Sequence, residues 1–343
     1  MRIRPGDPRR RSGIALVIVV FFVLLFTTAV TTFVRRASVD NLIARHRDAA
    51  REAEALARGG VELAKALLLE DRLQEQTEGF RVDASDELWA RANGVPLPVG
   101  DRASLTLQIL DAGSRLNLNA LFEDGALRDA TAAVMLEEIF TRVIEAMPGR
   151  PEDKPYDPAE LAERLIDFID ADGESPNGAF EDDAYQRADP PYRAPNRPLL
   201  SLDELRLVEG FDGPLVESLA PYLSVHPYAG GDGINPNTAP PHVLGLLYHG
   251  VSEQYRLADA DLVQDLLDGR EAGDLWCAES ASHERCRPLT DALPGTLFPP
   301  ATWSSEVFTV VATATVGEVS RTVEAVIDRS EASGPILLAW RTW

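Results

Sequence analysis

Six acidic residues near the middle of the chain have the types and spacing to bind a metal ion. They are Asp170, Asp172, Glu174, Glu181, Asp182 and Asp183. Carboxylate oxygens are the ligands that Ca²⁺ prefers, and Gly173 and Gly178 free the backbone between them. Ser175 replaces the turn glycine of an EF-hand and Pro176 follows it, which argues against a true EF-hand. We therefore expect either a calcium site of another geometry or a solvated acidic loop.

Two cysteines, Cys277 and Cys286, stand in an otherwise cysteine-free sequence. Two thiols are too few for an all-cysteine structural zinc site. They can join in a disulfide if the compartment is oxidising, and a pair of unlinked thiols is the alternative. We expect the disulfide if the chain is exported.

The sequence contains no recognisable catalytic motif. Its histidines are scattered, and it has no HExxH, GxSxG, phosphate-binding GxxxxGK or Rossmann glycine pattern. Asp167 and Asp170 lie about one helical turn apart and could do acid–base work, but no substrate cleft is predicted around them. We therefore expect a protein that is not an enzyme.

The overall charge limits the kinds of partner. The 343 residues include 55 acidic and 33 basic side chains, which give a formal net charge of −22. A nucleic acid would be repelled by this charge rather than neutralised, so we expect no nucleic-acid partner. The hydrophobic content of 45% is sufficient for compact domains with real cores.

The amino-terminal region has the composition of a membrane anchor. Arginines dominate residues 1–13, and no charged residue occurs from Ile14 to Val34. A helix of that length measures about 31 Å, enough to cross the hydrocarbon core of a bilayer. Arg35 and Arg36 follow the span directly, so the positions of the arginines do not settle its orientation.

Beyond the span, the sequence predicts a long helix packed on a sheet. From about Arg35 to Arg72, apolar residues keep helical spacing and no proline interrupts them. The alternation at 104–110, followed by turn residues and 115–118, predicts a first hairpin. Val307–Val316 and Val319–Asp328 flank Gly317-Glu318 and predict a second hairpin with a type II′ turn. The two hairpins can form one antiparallel sheet against the helix.

Between the hairpins, nearly everything reads as helix and loop. Two stretches, Ser201–Phe211 and Ile234–Ala239, are similar to helix-hairpin-helix modules, in which a glycine turn joins two short helices. Such modules often bind DNA, but acidic residues surround these two, which favours a structural role. The sequence therefore predicts an α-helical insertion within the sheet domain.

The junction Arg10-Arg11-Ser12-Gly13-Ile14 resembles a type IV prepilin leader. An ordinary secretory signal has its cleavage site after the apolar segment, whereas here a glycine precedes it. The resemblance implies that a prepilin peptidase cuts between Gly13 and Ile14. Most prepilins carry glutamate at the fifth position after the cut, but this chain has Ile18 there.

Several separate motifs occur in the order typical of one family. They are 115–121, 165–172, 178–185, 191–199 and the two helix-hairpin-helix-like stretches. Together with the leader they resemble the minor pseudopilins of the general secretion pathway protein K family, which belongs to the type II secretion system and typically lacks the glutamate.

This resemblance implies an α+β fold, in which a pilin-like long amino-terminal helix packs on an antiparallel sheet with a large α-helical insertion of the helix-hairpin-helix or SAM-like type. We expect a leader (1–13), a transmembrane helix (14–34), the stalk helix with the first part of the pilin-like domain (35–119), the insertion (120–300), the carboxyl-terminal hairpin (301–330) and an unassigned tail (331–343).

The resemblance also implies a function. The protein would cap the tip of a pseudopilus and nucleate its assembly for the export of folded proteins. Its partners would be the I and J minor pseudopilins, prepilin peptidase and the inner membrane, which it would cross once with its bulk in the periplasm. Calcium binding is implied as well. The alternatives are a membrane-tethered DNA-binding module of the competence type and a membrane-tethered hydrolase.

Overall fold

The structure is a computed structural model that describes residues 12–149, 155–173, 185–187, 189–228, 232–251, 254–279, 281, 283–331 and 334–343. Its helices are α1 (Ser12–Glu78), α2 (Leu88–Arg91), α3 (Ala130–Ala146), α4 (Pro158–Ile169), α5 (Gly213–Leu219), α6 (Pro241–Leu244) and α7 (Ala260–Ala272). Its strands are β1 (Leu97–Val99), β2 (Ala103–Asp111), β3 (Leu116–Asn117), β4 (Phe122–Glu123), β5 (Ala126–Leu127), β6 (Leu223–Ser224), β7 (Tyr248–Val251), β8 (Gln254–Leu257), β9 (Leu275–Cys277), β10 (Cys286–Pro288), β11 (Thr296–Phe298), β12 (Val307–Val316), β13 (Val319–Asp328) and β14 (Ile336–Thr342).

Helix α1 has an exposed apolar half and an amphipathic half. Small and apolar residues recur every three or four positions in the second half and are buried. They are Ala53, Ala57, Val61, Ala64 and Leu68. Gly60 lies on the same side, where a Cβ atom would come within 2.8 Å of Leu105 Cδ1. The absence of a side chain at Gly60 therefore lets the helix approach the sheet closely.

The main sheet has five antiparallel strands in the order β1-β2-β12-β13-β14. One face packs on α1 through a core that includes Leu107, Ile109, Phe308 and Val310. Strands β2 and β12 are neighbours although nearly 200 residues separate them in the chain, so the segment between them, which we call the α lobe (112–306), is an insertion. This arrangement confirms the predicted fold class.

The second predicted hairpin is present and the first is not. Gly317 begins the turn between β12 and β13 with φ of +60°, the conformation that glycine favours. After β2, however, Asp111 accepts a hydrogen bond from Gly113 N and starts a short 3-10 turn, which sends the chain into the α lobe. The next strand, β3, pairs in parallel with β6 instead of turning back on β2.

Acidic residues begin the main helices of the α lobe. Aspartate side chains accept hydrogen bonds from the first free N–H groups of four helices, the preferred N-cap arrangement. These N-caps are Asp129 of α3, Asp157 of α4, Asp212 of α5 and Asp259 of α7. Part of the acidic charge of the sequence therefore serves helix capping.

The α lobe is less purely helical than predicted. Leu202–Leu207 form a 3-10 helix, and strands β11, β7 and β8 form a three-stranded sheet. These strands have three or four residues each, too short to show an alternating pattern. The unassigned tail also contains a strand, because β14 extends the main sheet beyond β13.

Candidate functional site

The first half of α1 has the properties of a membrane anchor. It is the one helix in the described part of the chain that is long and apolar enough to span a bilayer, with mean hydropathy of 2.8 over its best window. The hydroxyls of Thr27, Thr28, Thr31 and Thr32 each donate to a backbone carbonyl four residues earlier, so the span leaves these polar groups satisfied. Such a helix suits a single-pass membrane anchor.

The predicted processing site lies at the start of this helix. Gly13 and Ile14 both belong to α1, and the Ile14 side chain is exposed. Ile18 is exposed as well and places an apolar side chain where most prepilins carry a carboxylate. The fifth position after the expected cut is therefore apolar.

At the other end of α1, a buried arginine joins the helix to the sheet. Arg329 follows β13 and has no exposed surface. Its Nη1 lies 2.6 Å from Asp71 Oδ2 of α1, and its Nη2 lies 2.6 Å from Asp83 Oδ1 in the segment after α1. The guanidinium also stacks 4.7 Å from the centre of the Phe308 ring. We call this set, together with Glu75 and Glu87, the Arg329 cluster.

The Arg329 cluster has more acids than its buried arginine can neutralise. Burial works against the charged guanidinium, but Asp83, Glu75 and Asp71 outweigh it and raise the pKa of Arg329. Burial also raises the pKa of Asp71, Glu75 and Asp83, although Arg329 acts in the opposite direction. Burial, and after it the excess of negative charge, therefore favours protonation of a nearby acid.

Glu87 is that acid. Burial, with the charge of Asp71 next, raises the pKa of Glu87 from 4.5 to about 8. Its Oε2 accepts hydrogen bonds from Trp89 Nε1 at 2.7 Å and Ala84 N at 3.2 Å. One carboxylate oxygen from each of Asp71, Asp83 and Glu87 lies within 4.8 Å of the others, but Arg329 already binds the two aspartates. We interpret the cluster as a structural clamp.

A buried asparagine fastens the α lobe to this clamp, and a second one holds the lobe together internally. Asn235 Nδ2 donates to Asp83 O and to Asp111 Oδ2, both at 3.1 Å. Asn237 exchanges two hydrogen bonds of 2.8 Å with the backbone of Trp276. Both asparagines are almost fully buried. The polar side chains of Ile234–Ala239 therefore satisfy the interior instead of facing a ligand, which agrees with the structural role expected for this stretch.

The disulfide lies beside the same clamp. Cys277 of β9 and Cys286 of β10 are joined, and the two strands pair in parallel. Within the loop that they close, His283 stacks on Phe80 with ring centres 4.2 Å apart. The disulfide loop therefore contacts the segment that follows α1.

Only two of the six predicted calcium ligands lie among the described residues. Asp170 is the C-cap of α4, and Asp172 follows it and accepts a hydrogen bond from Asn196 through its carbonyl. The remaining four are Glu174, Glu181, Asp182 and Asp183, which lie outside the described residues.

Asp170 has a buried carboxylate oxygen, Oδ1, without a hydrogen-bond donor among the described residues. Burial, and then the charges of Asp172 and Asp167, raise the pKa of Asp170 to about 6. A divalent cation would supply the missing partner for this oxygen, so the described residues fit the expected metal.

The Arg329 cluster and the buried asparagines were not predicted from the sequence. Nothing local marks Arg329, because its three acidic partners lie about 250 residues away in the chain. A signal existed for the asparagines, since they alternate with apolar residues or proline at 116–119 and 234–237. Asn119, for example, is buried and exchanges two hydrogen bonds of 2.9 Å with the backbone of Leu199.

Comparisons with known proteins agree with this architecture. The family description "Type II secretion system (T2SS), protein K" matches residues 114–228. The type II secretion system protein K of Pseudomonas aeruginosa is 30% identical over 70% of this chain and 69% of its own length. The protein K of Klebsiella pneumoniae is 30% identical over 62% of each chain, and that of Aeromonas hydrophila is 27% identical over 96% of each.

A solved structure shares the fold. The chain is similar to one in the crystal structure of the GspK–GspI–GspJ complex from the type 2 secretion system of enterotoxigenic Escherichia coli. The TM-score is 0.56 at 20% identity, and the match covers 90% of this chain and 99% of that one. Fold, anchor and sequence similarity agree, and the chain belongs to the type II secretion system protein K family of minor pseudopilins.

Proposed function

We propose that this protein caps the tip of the pseudopilus and nucleates its assembly for the export of folded proteins across the outer membrane. The position of the α lobe carries the proposal. The lobe is inserted between two adjacent strands and is bonded to the segment just after α1, where Asn235 meets Asp83. It therefore lies at the end of the helix opposite the anchor.

The length of α1 makes this separation large. The helix has 67 residues and so measures about 100 Å. The half of α1 nearer the membrane is exposed from Ile14 to Ile43. It is free to contact neighbouring subunits on the membrane side, which we call below. A subunit stacking from above would meet the α lobe. Growth would therefore proceed beneath this subunit.

Ile18 supports the same position. A carboxylate in an apolar span is costly unless it meets a positive partner, so the glutamate of other prepilins is understood as binding a neighbour's amino terminus. Ile18 offers no such contact to a preceding subunit. A subunit at the end of a filament has no need of it.

Processing and location follow from the same reasoning. A prepilin peptidase would cut between Gly13 and Ile14, because the apolar helix must be free at its amino terminus to enter a filament. The protein would then cross the inner membrane once and hold its bulk in the periplasm. An oxidising periplasm suits the Cys277–Cys286 disulfide.

The partners would be other minor pseudopilins of the I and J type. The solved complex unites GspK with GspI and GspJ, and this chain shares the fold of one of its subunits. Neither an enzymatic activity nor nucleic-acid binding is part of the proposal, given the net charge of −22 and the missing catalytic motifs.

Calcium would serve the α lobe as a structural ion. Asp170 and Asp172 would contribute carboxylates, joined by Glu174, Glu181, Asp182 and Asp183 of the same loop. The ion would neutralise the repulsion between these acids and hold the loop after α4. The Oδ1 atom of Asp170 supports this proposal, because it is buried and has no hydrogen-bond donor among the described residues.

Photo-cross-linking in cells tests the capping arrangement. A cross-linking residue at Leu42, exposed on the lower stalk, should capture other pseudopilins. The same residue at Val134, exposed on helix α3 of the lobe, should capture none. Capture of pseudopilins from both positions would place subunits above and below this one and would contradict the proposal.

A further inference from the structure

The two edges of the main sheet differ in how they are protected against further pairing. Strand β1 has three residues and includes Pro98, which has no N–H to offer. Strand β14 has seven residues, all exposed, with neither proline nor an acidic residue. Natural sheets usually shorten or charge such an edge. The one charged residue of β14, Arg341, is already paired with Glu324 of β13, so the β14 edge is less protected than that of β1.

The backbone of β14 is oriented for a new strand. Trp343 exchanges two backbone hydrogen bonds with Thr322 of β13. In an antiparallel pair such bonded positions alternate along the strand. The backbone N–H and C=O groups of Arg341 therefore also point toward β13. Trp340 and Thr342 consequently direct their N–H and C=O groups away from the sheet, to the open edge.

A cleft runs beside this edge. It has a volume of about 520 Å³ and lies between the α lobe and the sheet face that points away from α1. Val311, Val326 and Ala339 line it from the sheet, and Leu200 and Tyr228 line it from the lobe. An edge strand gives backbone bonds, and an adjoining pocket receives alternate side chains, the combination that recognises extended peptides.

The cleft also contains a cation without a direct partner. Arg115 lines it, and its guanidinium makes no hydrogen bond or ion pair with the residues that the structure describes. Burial lowers the pKa of Arg115, whereas the charge of Glu324 raises it. Glu324 itself is bound to Arg341 at 2.8 Å. A half-buried cation in this position favours an incoming carboxylate.

We propose that β14 and the Arg115 cleft receive an extended segment of another protein, which adds a strand to the sheet and binds Arg115 through an aspartate or glutamate side chain. A second copy of this chain suits the site less well. Residues 334–343 contain no acidic side chain, so pairing of β14 with β14 would bring no aspartate or glutamate to Arg115. The inference is independent of where the subunit sits in a filament.

A designed peptide tests the proposal with the full chain in detergent. The peptide has nine residues of alternating valine and threonine with a central glutamate, and N-methylation of alternate amides leaves it one pairing edge. It should bind, and replacing its glutamate by glutamine should weaken binding about tenfold, the value of one charge-assisted contact. Binding should slow hydrogen exchange of the Trp340 and Thr342 amides and leave those of β1 unchanged.

Two variants separate the parts of the site. Arg115→Met should abolish the difference between the glutamate and glutamine peptides, whereas Arg51→Met, at an exposed arginine of the stalk, should preserve it. Thr342→Pro removes only an outward N–H and should weaken both peptides alike.

Each of the following results would overturn the proposal. They are no binding of the glutamate peptide, equal binding of the two peptides to the wild type, slowed exchange at another surface, and concentration-dependent protection of Trp340 and Thr342 without peptide. The last result would show that a second copy occupies the edge. Binding of acetate but not of the peptide would likewise reduce the cleft to a simple anion site and contradict the inference.

Discussion

Arg329 illustrates how a single residue can join parts of this protein that are distant in sequence. It lies directly after strand β13 and binds carboxylates on α1 and on the segment that follows α1. Since these charges are buried, removing one partner leaves the others without compensation.

Replacing Arg329 should therefore destabilise the protein strongly. Arg329→Ala leaves Asp71 and Asp83 buried without a cation, and we expect a loss of about 3–5 kcal/mol in the free energy of unfolding. Arg51→Ala is the matched control, because Arg51 forms an exposed ion pair with Asp48 that should contribute about 0–1 kcal/mol. Chemical denaturation of both variants measures the difference. Equal losses would show that the Arg329 cluster is not a clamp.

Glu87 should make stability depend on pH. Its pKa is about 8 in the folded protein against an ordinary 4.5, so folding holds its proton more tightly. The contribution of Glu87 to the free energy of unfolding is fully present below about pH 4.5 and is lost as the pH rises through about 8. Glu87→Gln keeps an acceptor for Trp89 Nε1 and cannot titrate, so its melting temperature should fall less between about pH 5 and 8.

Asp48→Asn, at an exposed stalk residue, controls for the change in net charge. Asp71, Glu75 and Asp83 act in the same direction as Glu87, so the variant should keep part of the pH dependence. An unchanged pH dependence in Glu87→Gln would contradict the role given to this residue.

At the scale of single residues, some contacts were predictable from the sequence and others were not. Cys277 and Cys286 were predictable as a pair because no other cysteine competes with them. The Arg329 cluster was not, since ion pairs between residues about 250 positions apart leave no local pattern. The Asn-Pro-Asn sequence at 235–237 predicts a turn, and residues 236–238 do form one, but this pattern does not show whether the side chains face inward or outward.

At the scale of secondary-structure elements, the sequence predicted an element correctly where its pattern of apolar residues extends over many positions. The 67-residue helix α1 and the ten-residue strands β12 and β13 follow the periodicity of their apolar residues. Strand β14 escaped prediction because all of its residues are exposed and its apolar positions do not alternate. The first hairpin was predicted wrongly because Asp111–Ser114 is a turn that leads to another domain, which turn residues alone do not reveal.

The loop after α4 should respond to calcium. A ligand that binds only the folded protein raises its stability by mass action, so the full chain should melt at a higher temperature in calcium than in chelator. Magnesium should have less effect, because it gives up its water reluctantly and requires octahedral geometry. Asp170→Asn should remove most of the calcium effect.

Glu217→Gln is the control, since Glu217 is an exposed acid on helix α5. It should retain the full response to calcium. Identical melting temperatures of the wild type in calcium and in chelator would eliminate the calcium site.

At the scale of the whole molecule, one topological feature dominates. The α lobe interrupts the sheet between adjacent strands and is held by buried polar contacts at the end of α1 distant from the anchor. Helix α1 thus separates the apolar anchor from the bulky α lobe. The class of fold was predictable from the order of helical and alternating patterns, whereas the position of the lobe over the end of α1 depends on contacts that only the structure shows.

The location of the α lobe along isolated pseudopili shows whether this protein caps the filament. A gold label attached to an unnatural amino acid at Val134, on the exposed side of α3, can be located by electron microscopy. If the protein caps the filament, each filament should carry one label, always at the same end. Labels at regular intervals along the shaft would contradict capping.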